Sequence, residues 1–175
     1  MNFYAIALPL WKLVVVVFAA LIAGIMNATS GGGSFITYPV LLSIGETSLV
    51  ANATSTVGLW PGLVANLTGF TDEMRIQKRR IKIFIIPSIA GAILGSFILA
   101  HTSNAIFGFV APVLIFIGAL IMQFHKNVMN FFDRINLGTE TRRLVVVTFA
   151  VFIICIYAAY FGAGVGILLI AIFSL

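Results

Sequence analysis

Charged side chains are scarce in this chain. Only 9% of its 175 residues are Asp, Glu, Lys or Arg, whereas 61% are hydrophobic. A soluble domain carries charge on about a quarter of its residues, because charged side chains cover its surface. The hydrophobic surface of this chain must therefore face lipid rather than water. We expect an integral membrane protein and exclude a soluble enzyme.

Cysteine and acidic residues are also rare. The chain has one cysteine, Cys155, and five acidic residues against ten Lys and Arg. A single thiol cannot form an internal disulfide, and a metal site needs several ligands. We find no nucleophile–base set and no Walker-type phosphate loop. We therefore predict a protein that is not an enzyme and has no cofactor or metal. The net charge of +5 does not indicate nucleic acid, because the basic residues lie between hydrophobic runs, where they set membrane topology.

Long hydrophobic runs predict membrane-spanning helices. A spanning helix needs about 20 apolar residues, and lipid-exposed backbone must satisfy its own hydrogen bonds. Because the runs are continuous rather than alternating, a barrel is excluded. The predicted fold is an all-α, multi-span helix bundle. The predicted spans lie at about 13–44 (broken), 48–70, 83–100 and 105–124, a basic cytoplasmic loop lies at 125–143, and a further span begins at 144.

Glycine interrupts the first predicted span. The apolar run that starts at Leu13 ends in Thr29-Ser30-Gly31-Gly32-Gly33-Ser34, and a short apolar stretch follows over 35–44. Ten residues are too few to cross a bilayer unaided, so this stretch is typical of a re-entrant segment or half of a broken helix.

The basic loops predict the orientation. The third and fourth spans form a hairpin, so the basic segments 71–82 and 125–143 lie on one side, which the positive-inside rule assigns to the cytoplasm. With Lys12 also on that side, 13–44 makes one net crossing through a broken helix, and this is the topology we expect. If 35–44 crosses fully instead, the N-terminus lies outside.

The chain also contains a predicted internal repeat. An offset of 131 residues aligns the run at Leu13 with the run at Leu144, and the glycines of both segments fall in register. Repeated units with glycine-interrupted helices are the architecture of secondary transporters. Residues 1–124 would form a first four-helix unit, and 144–175 the start of a second, incomplete one.

The number of spans predicts how the two units are related. Four spans per unit, an even number, predict parallel units, and a complete second unit would extend the chain to roughly 260 residues. We therefore expect either a truncated product or a half-size protein that dimerises.

Two segments resemble a known family. The run Gly31-Gly32-Gly33, the following Pro39 and the segment Ala51-Asn52-Ala53-Thr54-Ser55 resemble the N-terminal signature of the sulfite exporter TauE/SafE family. The segment Tyr160-Phe161-Gly162-Ala163-Gly164-Val165-Gly166 is similar to that family's later glycine motif. The resemblance implies a two-repeat helical permease that moves sulfur-containing anions such as sulfite or organosulfonates.

The glycine run is also the candidate anion site by physical reasoning. Each glycine costs about 1 kcal/mol in a helix relative to alanine, so a run of three indicates backbone that is unwound or closely approached. Unwound backbone offers free N–H groups, and a helix starting near Ser34 would point its positive dipole end into the membrane. The alternative is close helix packing through small residues. The candidate substrate-binding residues are Ser30, Gly31, Gly32, Gly33, Ser34, Asn52, Thr54 and Ser55, with Gly162, Gly164 and Gly166 as second-repeat equivalents.

The remaining polar residues complete the interpretation. Asn66 is predicted to bond across helices, and no charged residue falls inside a predicted span. We expect a multi-pass permease for a small anion in a bacterial-type inner membrane. Its expected partners are the lipid bilayer, the anionic solute and either a second copy or a separately encoded second half, but not nucleic acid. The alternative is an accessory or assembly subunit without transport activity of its own.

Overall fold

The computed structural model describes residues 9–69, 71–124, 127 and 140–173. Within these residues the chain is helical and contains no strand, which confirms the predicted all-α fold. The helices are α1 (Leu10–Ser30), α2 (Ser34–Ser43), α3 (Ser48–Gly69), α4 (Thr71–Ile76), α5 (Lys78–Ala100), α6 (Asn104–Gln123), α7 (Glu140–Tyr160) and α8 (Val165–Phe173).

Three of the described helices are long and apolar enough to cross a membrane. They contain the segments Leu10–Ala28, Ile81–Ala100 and Arg142–Tyr160 of α1, α5 and α7. Large hydrophobic side chains such as Phe18, Ile86 and Phe149 are exposed on them. Lipid is the solvent that such surfaces require, which confirms a helical membrane protein. Helix α3 is 22 residues long but is not among the three, because polar residues interrupt its apolar sequence.

Helices α1 and α2 form a hairpin. Helix α1 ends at Gly31, whose φ of 72° is left-handed and whose N–H donates to the Asn27 carbonyl at 3.2 Å. The chain then folds back, since a Cβ on Gly33 would lie 2.7 Å from the Ala23 carbonyl oxygen. Lys12 Nζ donates to the Ile44 carbonyl at 2.7 Å. The start of α1 and the end of α2 therefore lie at the same end of the bundle, called the Lys12 end below.

Other helix ends lie there too. The Leu49 N–H donates to Asn104 Oδ1 at 3.0 Å, which places the starts of α3 and α6 together. Helix α5 ends at Ala100, just before α6 begins. The opposite end of the bundle carries most of the described positive charge and is called the basic end. The Lys and Arg residues at this end whose side chains the structure describes are Arg75, Lys78, Lys82, Arg142 and Arg143.

Helices α5 and α7 run parallel in close contact. A Cβ on Gly91 would lie 2.4 Å from the Phe152 carbonyl oxygen, and one on Gly95 would lie 2.3 Å from that of Ile156. Two glycines four residues apart let helix backbones approach closely in membranes. Our sequence interpretation did not use this Gly-x-x-x-Gly spacing, although it was visible. Helix α7 therefore runs from the basic end toward the Lys12 end.

Helix α8 then returns beside α7. The rings of Phe173 and Phe84 lie 5.3 Å apart, so α8 ends near the start of α5 at the basic end. The second hairpin, α7–α8, thus opens at the basic end, whereas the first hairpin opens at the Lys12 end.

These directions correct two predictions. Segment 13–44 makes no net crossing, because Gly31 reverses the chain instead of interrupting one continuous crossing. Lys12 consequently lies at the end of the bundle opposite the basic end. This position agrees with the alternative topology, in which the N-terminus lies outside. The parallel relation of the two units is also wrong, since α1 and α7 run in opposite directions.

The segment boundaries differ as well. Residues 71–82, expected to be a loop, lie largely in α4 and the first turn of α5. The predicted basic loop 125–143 falls mostly outside the described residues, and α7 already begins at Glu140.

The main buried core lies between the two hairpins. Tyr38 and Phe107 are buried there, together with Phe161 and Ala163 from the turn of the second hairpin. The Tyr38 ring packs edge-on against Phe161, with their centroids 5.4 Å apart. Aromatic packing thus fixes the first hairpin against the turn of the second.

Candidate functional site

The glycine turns of the two hairpins meet inside the bundle. Gly31, Gly162 and Gly164 have φ values of 72°, 78° and 75°, a region that disfavours side chains. A Cβ on Gly31 would lie 2.9 Å from the Gly166 nitrogen, and one on Gly164 would lie 3.3 Å from the Phe35 ring. The structure therefore brings the predicted glycines of both segments together, packed closely enough to exclude side chains.

The start of α2 lies beside this contact. Its hydrogen bonds begin with the Phe35 N–H, which donates to the Gly32 carbonyl at 3.0 Å. The N–H groups of Gly32, Gly33 and Ser34 precede these bonds, as the first N–H groups of a helix do. No side chain that the structure describes caps the helix at Gly33. Among these side chains, the positive end of the α2 dipole therefore has no capping partner.

A cavity of about 330 Å³ lies between α1, α2 and α3. Its walls are mainly aliphatic side chains and glycine, and no charged residue that the structure describes lines it. The polar residues that line the cavity are Asn27, Thr37, Thr54, Ser55 and Asn66. Neutral hydrogen-bonding groups within apolar walls are typical of small-molecule sites.

Two of the predicted site residues, Thr54 and Ser55, line this cavity. Ser55 is buried, and its hydroxyl hydrogen-bonds with that of Thr37. The Thr37 hydroxyl also lies 3.3 Å from the Gly33 carbonyl oxygen, to which it donates. These contacts link the cavity wall to the glycine turn. Gly31, Gly32, Gly33 and Ser34, which were predicted to bind the substrate, are not among the described residues that line the cavity.

The structure gives Asn52 a different position. It is 3% exposed, and its Nδ2 donates to the Tyr160 carbonyl at 3.1 Å. Since Tyr160 is the last residue of α7, Asn52 satisfies a helix-terminal carbonyl and holds the second hairpin in place. Tyr157 in α7 also satisfies a carbonyl of the second hairpin, because its hydroxyl donates to the Ala163 carbonyl at 2.6 Å. The side chain of Ser30, another predicted site residue, lies outside the described residues.

Sequence reasoning missed three cavity residues, Asn27, Thr37 and Asn66. A signal for Asn66 was present, because Thr54, Gly58, Gly62 and Asn66 recur every four residues and so share one face of α3. Asn27 lies four residues before Gly31, within the last turn of α1. In the described part of the chain, no three His, Cys, Asp or Glu residues lie close enough to hold a metal ion.

The sequence is similar to a family of known proteins. Residues 16–175 match the family described as "Sulfite exporter TauE/SafE". A "Probable membrane transporter protein" of Haemophilus influenzae is 27% identical over 150 residues, which cover 83% of this chain and 55% of that protein. The chain thus spans about half the length of this relative. No solved structure shows significant similarity to this chain. Since the family match covers nearly the whole chain, the chain belongs to the sulfite exporter TauE/SafE family.

Proposed function

We propose that this chain takes part in transporting a small anion, sulfite or an organosulfonate, across a bacterial-type inner membrane. The observation that carries the proposal is the uncharged polar cavity between α1, α2 and α3, next to a glycine turn at the start of α2. The family and the transporter relative support membrane transport in general. The cavity supports the choice of an anion.

The cavity favours anions because its polar groups can donate hydrogen bonds. Thr54 offers a hydroxyl, and Asn27 and Asn66 offer amide groups. The Ser55 proton is already donated to Thr37, because the Thr37 hydroxyl donates to the Gly33 carbonyl. Among the described residues no carboxylate lines the cavity, so a cation would lose its hydration without a counter-charge, at a high energetic cost. An anion near the start of α2 also gains from the positive end of the helix dipole.

The charges outside the cavity support the same conclusion. The basic end exposes Arg75, Lys78 and Arg142. Such a patch concentrates anions near the entrance to a site. By the positive-inside rule this end faces the cytoplasm, and the N-terminus of the chain then lies on the outer side.

The two hairpins support the proposal of an internal repeat with an offset of 131 residues. Both hairpins turn at left-handed glycines and they open at opposite ends, as in transporters built from inverted repeats. In such transporters the substrate site lies near the interface between the repeats. A second copy or a separately encoded second half, each within the lipid bilayer, remains the proposed partner.

Flux measurements in proteoliposomes test this function. The assay uses purified protein and compares sulfite, butanesulfonate, sulfate and acetate. We expect sulfite or butanesulfonate to cross faster than in protein-free liposomes. Absence of flux for all four anions would contradict the proposal. The accessory-subunit alternative predicts that absence, together with purification alongside a stoichiometric partner.

A matched pair of threonines tests whether the cavity is the path. Thr54 lines the cavity, whereas Thr56 lies two residues away and donates to the Asn52 carbonyl at 2.9 Å. Thr54→Val removes a donor from the cavity, and we expect flux to fall by about tenfold, because a hydrogen bond to a charged group contributes about 1.5–3 kcal/mol. Thr56→Val should transport like the wild type. Equal flux through both variants would remove the cavity from the mechanism.

A further inference from the structure

Two asparagines line the part of the cavity nearest the basic end. Asn27 lies in the last turns of α1 and Asn66 in the last turn of α3, and both are half-buried. The Asn66 carboxamide forms no hydrogen bond with another described residue. A carboxamide without a protein partner on a cavity wall can bond a solute or water through its two N–H donors and its oxygen.

We infer that Asn27 and Asn66 bind the charged group of the substrate, through their Nδ2 donors, at the basic end of the cavity. This inference rests on the proposed function and assigns its recognition residues. Each carboxamide supplies two N–H donors, so the pair can contact several oxygens of a sulfonate or sulfite. The rest of the cavity accommodates the remainder of the substrate.

Neutral donors suit a site that must release its ligand. Transport requires binding that is favourable enough for entry and weak enough for exit. A Lys or Arg in place of these asparagines would hold an anion through charge as well as hydrogen bonds, and those bonds are about twice as strong. Carboxamides offer the directional contacts without that additional attraction.

The volume and walls of the cavity point to an organic anion with a short apolar chain. The cavity volume of about 330 Å³ leaves room for an anion larger than the four atoms of sulfite. The walls beyond the asparagines include Val16, Val40 and Leu41. With the charged group at the asparagines, these side chains contact an alkyl chain and favour it by about 0.8 kcal/mol per buried CH₂.

The experiment measures butanesulfonate uptake into proteoliposomes that contain the full chain. Asn27→Asp and Asn66→Asp keep the side-chain size but replace donors by a negative charge, and Asn66→Leu removes the polar group. We expect KM to rise at least about tenfold in each variant, as the loss of a hydrogen bond to a charged group predicts. Thr68→Val is the control, because the Thr68 hydroxyl donates to the Ala65 carbonyl at 2.7 Å and lies outside the cavity.

Three readouts separate binding from a structural role. Thermal unfolding in detergent should be unchanged in Asn66→Leu if the residue binds substrate, and lowered if it bonds across helices. Asn66→Gln should restore part of the affinity. KM should also fall from methanesulfonate to butanesulfonate in the wild type.

The outcomes distinguish the inference from the function on which it rests. Wild-type transport with an unchanged KM in the Asn27 and Asn66 variants would overturn the inference and leave the proposed function standing. A lowered unfolding temperature without a change in KM would assign both residues to helix packing and would also overturn it. A KM that does not fall with chain length would overturn the assignment of an organic substrate. Absence of transport by the wild type would contradict the proposed function itself.

Discussion

Replacing Gly31 by alanine tests the contact between the two glycine turns. The left-handed conformation of Gly31 costs an alanine about 1–2 kcal/mol. The added Cβ would also lie 2.9 Å from the Gly166 nitrogen and 3.0 Å from its Cα. Overpacking of this kind costs about 1–3 kcal/mol. We therefore expect Gly31→Ala to lower the free energy of unfolding by about 2–5 kcal/mol.

Gly45 provides the matched control. Its φ is 100°, but a Cβ on it would meet no atom within 4 Å. Gly45→Ala should therefore lose only the conformational cost of about 1–2 kcal/mol. The assay is reversible unfolding of both variants in mixed micelles, followed by circular dichroism. Equal losses in the two variants would refute the contact between the turns, because conformation alone would then explain both.

Three further predictions concern packing and orientation. Gly95→Ala should lower the free energy of unfolding by about 1–3 kcal/mol, because the added Cβ would lie 2.3 Å from the Ile156 carbonyl oxygen. Gly69→Ala is the control and should leave the free energy of unfolding unchanged, because a Cβ on Gly69 would meet no atom within 4 Å. Tyr38→Phe should raise the free energy of unfolding by about 1 kcal/mol, since the Tyr38 hydroxyl is buried without a partner among the described residues. A lower free energy of unfolding in this variant would show that the hydroxyl is bonded. With Cys155 changed to serine, a membrane-impermeant maleimide should label Lys12→Cys in intact cells, and labelling only after lysis would contradict the orientation.

The helical nature of the fold and the position of its first break could be predicted from the sequence. Continuous apolar runs define helices α1 and α5 closely, and three adjacent glycines cannot belong to an undisturbed helix. The direction of the chain after the break could not be predicted. Glycine permits a reversal but does not require one, and the contact that shows it, between Lys12 and Ile44, joins residues 32 positions apart.

The candidate site was predictable in part for a similar reason. Thr54 and Ser55 were expected to line a path, and they do line the cavity. The sequence interpretation groups Asn52 with them because all three belong to the small-polar segment 51–55. On a helix, however, residues two positions apart are separated by roughly 200°, and Asn52 faces the last turn of α7 instead. Which polar face of α3 meets the cavity depends on how its neighbours pack, and sequence spacing alone does not fix that.

The most direct test of the account is the accessibility of the cavity to a negatively charged reagent. In a Cys155→Ser background, Thr54→Cys places a thiol in the cavity wall, whereas Val57→Cys places one on the outer surface, where Val57 is 72% exposed. We predict that a sulfonate-bearing methanethiosulfonate modifies the Thr54→Cys variant in membranes, that butanesulfonate slows this reaction, and that the Val57→Cys variant stays unmodified in lipid. Modification at Val57→Cys alone, or equal rates at both positions, would contradict an anion path between α1, α2 and α3.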